Sequence, residues 1–140
     1  MAKKNAVGAK GARLLRKVAA HILAEPLRYE QDCTANMGKP GEEFREGRQY
    51  PACGTVACIG GWIEILAFKR SVEDVCEGLR FSAIREALGC TYEQVEDLVQ
   101  YTFRDGWPKR YLDAYNKAKT PRGKARVAQR RIEYFIKTGE

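Results

Sequence analysis

A mostly α fold is what this chain predicts: a compact single-domain bundle of about five to seven helices around one buried central helix. Three observations carry that expectation. Apolar residues recur at helical spacing, first as Leu14, Leu15, Val18, Ala19 and Ile22. Helix-start signals recur as well, with Thr91 and Gln94 forming a capping box and Thr120 preceding Pro121. Finally, Val56, Ala57, Ile59, Trp62, Ile63, Ile65, Leu66 and Phe68 make one segment apolar nearly all round, which suits the centre of a bundle. The 140 residues, 44% hydrophobic and 31% charged, fit one soluble domain.

Taken in order, residues 1–10 read as a basic, disordered lead-in to a domain spanning 11–140. The first helix runs from about Ala12 to Ala24, with Arg13, Arg16 and Lys17 outside its apolar arc and Pro26 ending it. Residues 26–54 form a long irregular loop, interrupted by Gly38, Pro40, Gly41, Gly47 and Pro51, with room for short strands. The central helix is expected to start after Thr55 as N-cap and to reach Phe68. Gly60 and Gly61 weaken it by about 1 kcal/mol each relative to alanine, which suggests that another backbone approaches there. Ser71 and Asp74 cap a short helix through Cys76, and Ser82–Leu88 is stopped by Gly89. A helix from Thr91 to about Phe103 follows. Pro108 opens the next, to about Lys119, and the last runs from Pro121 to about Lys137.

No apolar run approaches the roughly 18–20 residues of a membrane span, since Val56–Phe68 is shorter and contains Glu64. Met1-Ala2-Lys3-Lys4 leads into no signal-peptide core, so the expected location is cytoplasmic with no membrane partner. There the five cysteines, at 33, 53, 58, 76 and 90, are expected as free thiols.

The net charge of +7 is unevenly spread. Residues 1–24 carry +6, residues 25–105 carry −6 and residues 106–140 carry +7. Two arrangements satisfy this pattern: basic ends folded onto an acidic middle, or a basic face offered to an anionic partner.

Several residues are candidates for chemistry. Arg122, Arg126 and Arg130 recur every four residues opposite the apolar face of the last helix. Lys137 lies near the same stripe and Glu133 interrupts it. Such a row suits a phosphate backbone or a multiply charged small ligand. Gly54 and Thr55 offer amides at an expected helix start, a second anion site, although the Lys and glycines of a P-loop are missing. Cys53 and Cys58 are metal candidates, zinc being the metal such ligands favour, with a thiolate or redox role as the alternative. The C-x4-C spacing is not the usual zinc pair, and thiols that simply pack are the first reading of it. His21, the one histidine, lies at the edge of the first apolar arc, and no general acid–base pair stands out. Ser82–Phe103 scans as a helix-turn-helix, but Glu93, Glu96 and Asp97 at the start of its second helix repel phosphate.

Pro51-Ala52-Cys53-Gly54-Thr55-Val56-Ala57-Cys58-Ile59-Gly60-Gly61-Trp62 resembles the hallmark of a group of small bacterial and phage proteins with a CGTxxCxxGW-type segment. Leu14–Val18, Ala87–Thr91 and Arg131–Ile136 extend the resemblance over most of the chain, while Gly60 and Cys90 stand where alanine and leucine are usual. The resemblance implies no activity; its phage and mobile-element setting implies an accessory or anti-defence role.

These readings converge on a non-catalytic binding protein for nucleic acid or a nucleotide-like ligand, acting through the C-terminal basic helix. The alternatives are a module that binds a host protein through loop 26–54, and a metal or thiol protein centred on Cys53 and Cys58.

Overall fold

The computed structural model describes residues 7–31, 35–45, 48–51, 55–100 and 106–140. Within them lie seven α-helices: α1 (Ala9–Ala24), α2 (Ile59–Ala67), α3 (Val72–Cys76), α4 (Phe81–Leu88), α5 (Tyr92–Val99), α6 (Lys109–Lys117) and α7 (Pro121–Thr138). The fold is mostly α, as the apolar spacing indicates. Between α1 and α2 come a single 3-10 turn (Pro26–Arg28) and four short strands: β1 (Ala35–Met37), β2 (Glu43–Arg45), β3 (Arg48–Gln49) and β4 (Thr55–Ala57). β1 and β4 pair antiparallel with Asn36 opposite Val56, and β2 pairs with β3.

The sequence places the start of the central helix too early. Thr55–Ala57 are extended, and the N-cap is Cys58, whose Sγ accepts from the Gly61 amide at 3.4 Å. β-Branched Thr55 and Val56 favour extended backbone, and pairing with Ala35–Met37 satisfies their peptide groups. α2 nevertheless occupies the centre, with Ile59, Trp62 and Ile63 at most 1% exposed and α1, α3, α4 and α5 packed around it. The expected close backbone approach at Gly60 is also corrected. A Cβ there would meet side chains, Leu79 Cδ1 and Val99 Cγ1, both at 2.8 Å. The close backbone contact lies at Gly11, where a Cβ would fall 2.6 Å from the Leu88 carbonyl oxygen. That contact seats α1 on the end of α4.

At the N-terminus, Val7 is buried and α1 begins at Ala9, ahead of the expected helix start near Ala12. Local start signals elsewhere match their structures, although α5 ends at Val99, short of the expected Phe103. Ser71 caps α3, Thr91 and Gln94 form the capping box of α5, and Thr120 caps α7 through the Gly123 amide. Gly89 ends α4 at φ 65°, a left-handed conformation that favours glycine. Pro108 is the N-cap of α6 rather than a residue of its first turn.

Two buried polar groups hold the irregular parts to the helices. Glu64, fully buried in α2, lies 2.6 Å from Arg70 Nη1, and its other oxygen accepts from the Arg80 amide at 2.9 Å. Arg70 also donates to the carbonyls of Gly78 and Asp74, so one carboxylate fixes the path from α2 through α3 to α4. The second group centres on Glu30 and Gln31. The Tyr115 hydroxyl donates to Glu30 and accepts from the Gln31 amide, while Arg48 pairs with Glu30 at 2.7 Å. Gln31 donates to the Val99 carbonyl and accepts from Tyr29 Oη and the Ile59 amide. So many mutual hydrogen bonds mark a structural knot that ties loop, strand and helix together.

Candidate anion-binding face

α7 carries the basic stripe, and its two faces are sharply divided. Ala125, Ala128, Ile132 and Phe135 are fully buried, whereas Arg122, Arg126, Arg130 and Lys137 are exposed. At about 100° per residue these four cations fall within roughly 80° of the helix surface and extend over about 22 Å. None of the four forms an ion pair with any described residue. Glu133, which interrupts the stripe, is neutralised by Arg16 of α1, with Nε to Oε1 at 3.1 Å.

That ion pair also joins the two basic ends of the chain. α1 packs lengthwise against α7, so the two basic helices lie side by side, while α1 also packs on α2 and α4 of the acidic middle. Lys10, Arg13 and Lys17 of α1 are exposed and likewise form no ion pair with a described residue. The acidic middle supplies its own cations internally, through Arg48 to Glu30 and Arg70 to Glu64.

On the other flank of the stripe lies α6. The rings of Tyr111 and Tyr134 are 5.4 Å apart, and the Arg110 guanidinium sits over both, at 4.8 and 4.5 Å from their centroids. Beside this stack a cleft of about 240 Å³ is lined by Arg110, Tyr111, Ala114, Val127 and Arg130. Arg130 therefore belongs both to the stripe and to the cleft. Sequence reasoning missed this cluster because Tyr111 and Tyr134 are brought together only by tertiary packing.

Arg131 is the other missed residue. Unlike Arg130 it is fully buried, donating through Nη2 to the Glu140 carbonyl at 2.6 Å. Burial pulls its guanidinium down to about 10, against the opposing field of Asp97. The signal was available, because one residue turns the helix about 100°, away from the exposed row.

The second expected anion site is not assembled as foreseen. Thr55 is 7% exposed and paired opposite Met37 in β4, not at a helix start; Gly54 lies outside the described residues. At the true start of α2, the Ile59 amide donates to Gln31 Oε1 and the Gly61 amide to Cys58 Sγ. Those amides are occupied internally.

Cys58 is likewise not the activated thiolate that a first-turn position predicts. It is 3% exposed, and burial pushes its thiol up to about 11 despite the helix-start amides that favour ionisation. Cys53 lies outside the described residues. Cys76 and Cys90 are free thiols, and among the described residues no three His, Cys, Asp or Glu side chains are grouped to hold a metal. His21 is the half-buried boundary residue its position suggests, with its ring 4.3 Å from Trp62 and burial lowering its pKa. Arg28 covers Trp62 as well, 4.7 Å from the ring centroid. Among the described residues, no helix is long and apolar enough to cross a membrane.

Comparison of the chain with family models, with curated proteins and with solved structures returns no match.

Proposed function

We propose that this chain is a non-catalytic nucleic-acid-binding protein of the cytoplasm, gripping phosphates along α7 with α1 beside it. The observation that carries the reading is the row of Arg122, Arg126, Arg130 and Lys137, exposed and without ion-pair partners among the described residues. Cations strung over about 22 Å match a polymer with one charge every 3.4 Å along each strand better than one compact nucleotide. The neighbouring cations of α1 widen the same field. Charge reversal tests this directly. Arg122→Glu with Arg126→Glu, measured by fluorescence anisotropy on labelled oligonucleotides, is expected to weaken binding about tenfold or more at low salt. Unchanged affinity would remove the stripe from the interface.

A second reading, a protein-binding module, draws on a different surface. Leu27 and Met37 are 53% and 55% exposed on the segment between α1 and α2. Leu27 also borders a cleft of about 350 Å³ with Arg48, Tyr50, Lys119 and Pro121. This reading expects a complex that survives moderate salt and is lost in Leu27→Glu with Met37→Glu.

A further inference from the structure

We infer that the cleft between α6 and α7 stacks an unpaired base, so that the nucleic acid this protein takes is single-stranded. This rests on the nucleic-acid reading above and sharpens it. The cleft adjoins the phosphate-binding row, since Arg130 contributes to both. A strand whose backbone follows Arg122, Arg126 and Arg130 has its bases beside the Tyr111–Tyr134–Arg110 cluster.

The cluster has the chemistry of a stacking platform. Tyr111 and Tyr134 are half-buried, which fixes their rings, and Arg110 is exposed over them as a planar outer layer. Aromatic rings and guanidinium planes both accept a base face. At about 240 Å³ the cleft is smaller than the roughly 300–1,000 Å³ of pockets that enclose a whole cofactor, and it suits a single planar ring system. Its other lining residues, Ala114 and Val127, are apolar, and among the described residues no carboxylate or amide side chain lines it to read a base edge. The site is therefore tolerant of sequence. A duplex keeps its base faces stacked on one another and offers none to the cleft. Both flanking arginines carry positive charge, which suits the phosphates on either side of the stacked base.

The test compares a fluorescein-labelled oligothymidylate with a hairpin duplex of the same total charge, titrated with the full chain at one salt concentration. The unaltered protein is expected to favour the single strand by about tenfold. Tyr111→Leu with Tyr134→Leu, which keeps apolar bulk and removes the π faces, is expected to weaken single-strand binding by roughly 5- to 150-fold and duplex binding little. A second measurement needs no variant: ultraviolet crosslinking of a bromodeoxyuridine-containing oligonucleotide to the unaltered protein, with peptide mapping. Crosslinks at Tyr111 or Tyr134 support the inference. Equal or stronger duplex binding, or crosslinks confined to other peptides, overturns it while leaving the basic face standing. Binding to neither probe overturns the nucleic-acid reading as well.

Discussion

Replacing Glu64 by glutamine is expected to be among the most damaging single changes in the protein. Glu64 is fully buried and its Arg70 partner has only 12% of its side chain exposed. Glutamine has nearly the same shape, so the change isolates charge from volume. It leaves the Arg70 guanidinium enclosed and unpaired, with an amide NH2 competing for the place of the oxygen now 2.6 Å from Nη1. Removing one member of a buried pair costs about 3–5 kcal/mol. A 140-residue domain has about 7–15 kcal/mol in total, so roughly a third of its stability is at stake. The corresponding fall in melting temperature is about 10–15 °C by circular dichroism. Glu64→Leu combined with Arg70→Met removes both charges and should recover most of the loss. It stops short of full recovery because the Arg80 amide loses its acceptor, a deficit of about 1–3 kcal/mol. A cost below about 1 kcal/mol for Glu64→Gln, or a double variant no better than the sum of its singles, would refute a structural role for the Glu64–Arg70 pair.

Two further tests address packing and thiol chemistry. Gly11→Ala is expected to cost about 2 kcal/mol or more, because its Cβ meets the Leu88 backbone at 2.6 Å and α1 and α4 must part. Gly60→Ala meets side chains only, but beside flexible Leu79 it presses both methyls of stiff, buried Val99, so despite the gain in helix propensity it should cost about 1 kcal/mol or more in urea unfolding. Iodoacetamide at neutral to mildly alkaline pH should label exposed Cys76 ahead of buried Cys58 in the native protein, as read by peptide mass mapping. Because the native Cys58 thiol is raised from 9.0 to about 11, its protonated form favours folding below pH 9.0. That contribution is lost as pH rises through about 11, and Cys58→Ala should flatten this limb of the stability profile. Early labelling of Cys58 in the folded protein would contradict its burial.

What could be read from the chain alone was local. Ser71, Gly89, Thr91 with Gln94, and Thr120 act within one helical turn, so their types announce their roles. The row Arg122–Arg126–Arg130 was legible for the same reason, since spacing by four sets one face. Thr55 misled because its conformation is decided by a strand some twenty residues earlier, an antiparallel pairing that overrides the N-cap preference of threonine. Glu64 and Arg70 are close in sequence, but only the enclosure of α2 makes their pairing structural. The α6–α7 cleft was invisible because Tyr111 and Tyr134 acquire a joint role only when two helices pack. The side-by-side placing of the two basic helices depends in the same way on α1 lying along α7.

The most direct test of the basic face is the dependence of oligonucleotide affinity on salt. Four cations on α7 without an ion-pair partner among the described residues, joined by Lys10, Arg13 and Lys17 of α1, set the contact number between four and seven. For a single strand, log K should therefore fall against log salt with a slope between about −3 and −5. Arg122→Glu with Arg126→Glu should make that slope shallower by about 1.4 or more. A slope near zero, or one that the double variant leaves unchanged, would contradict the claim that α7 holds the phosphates.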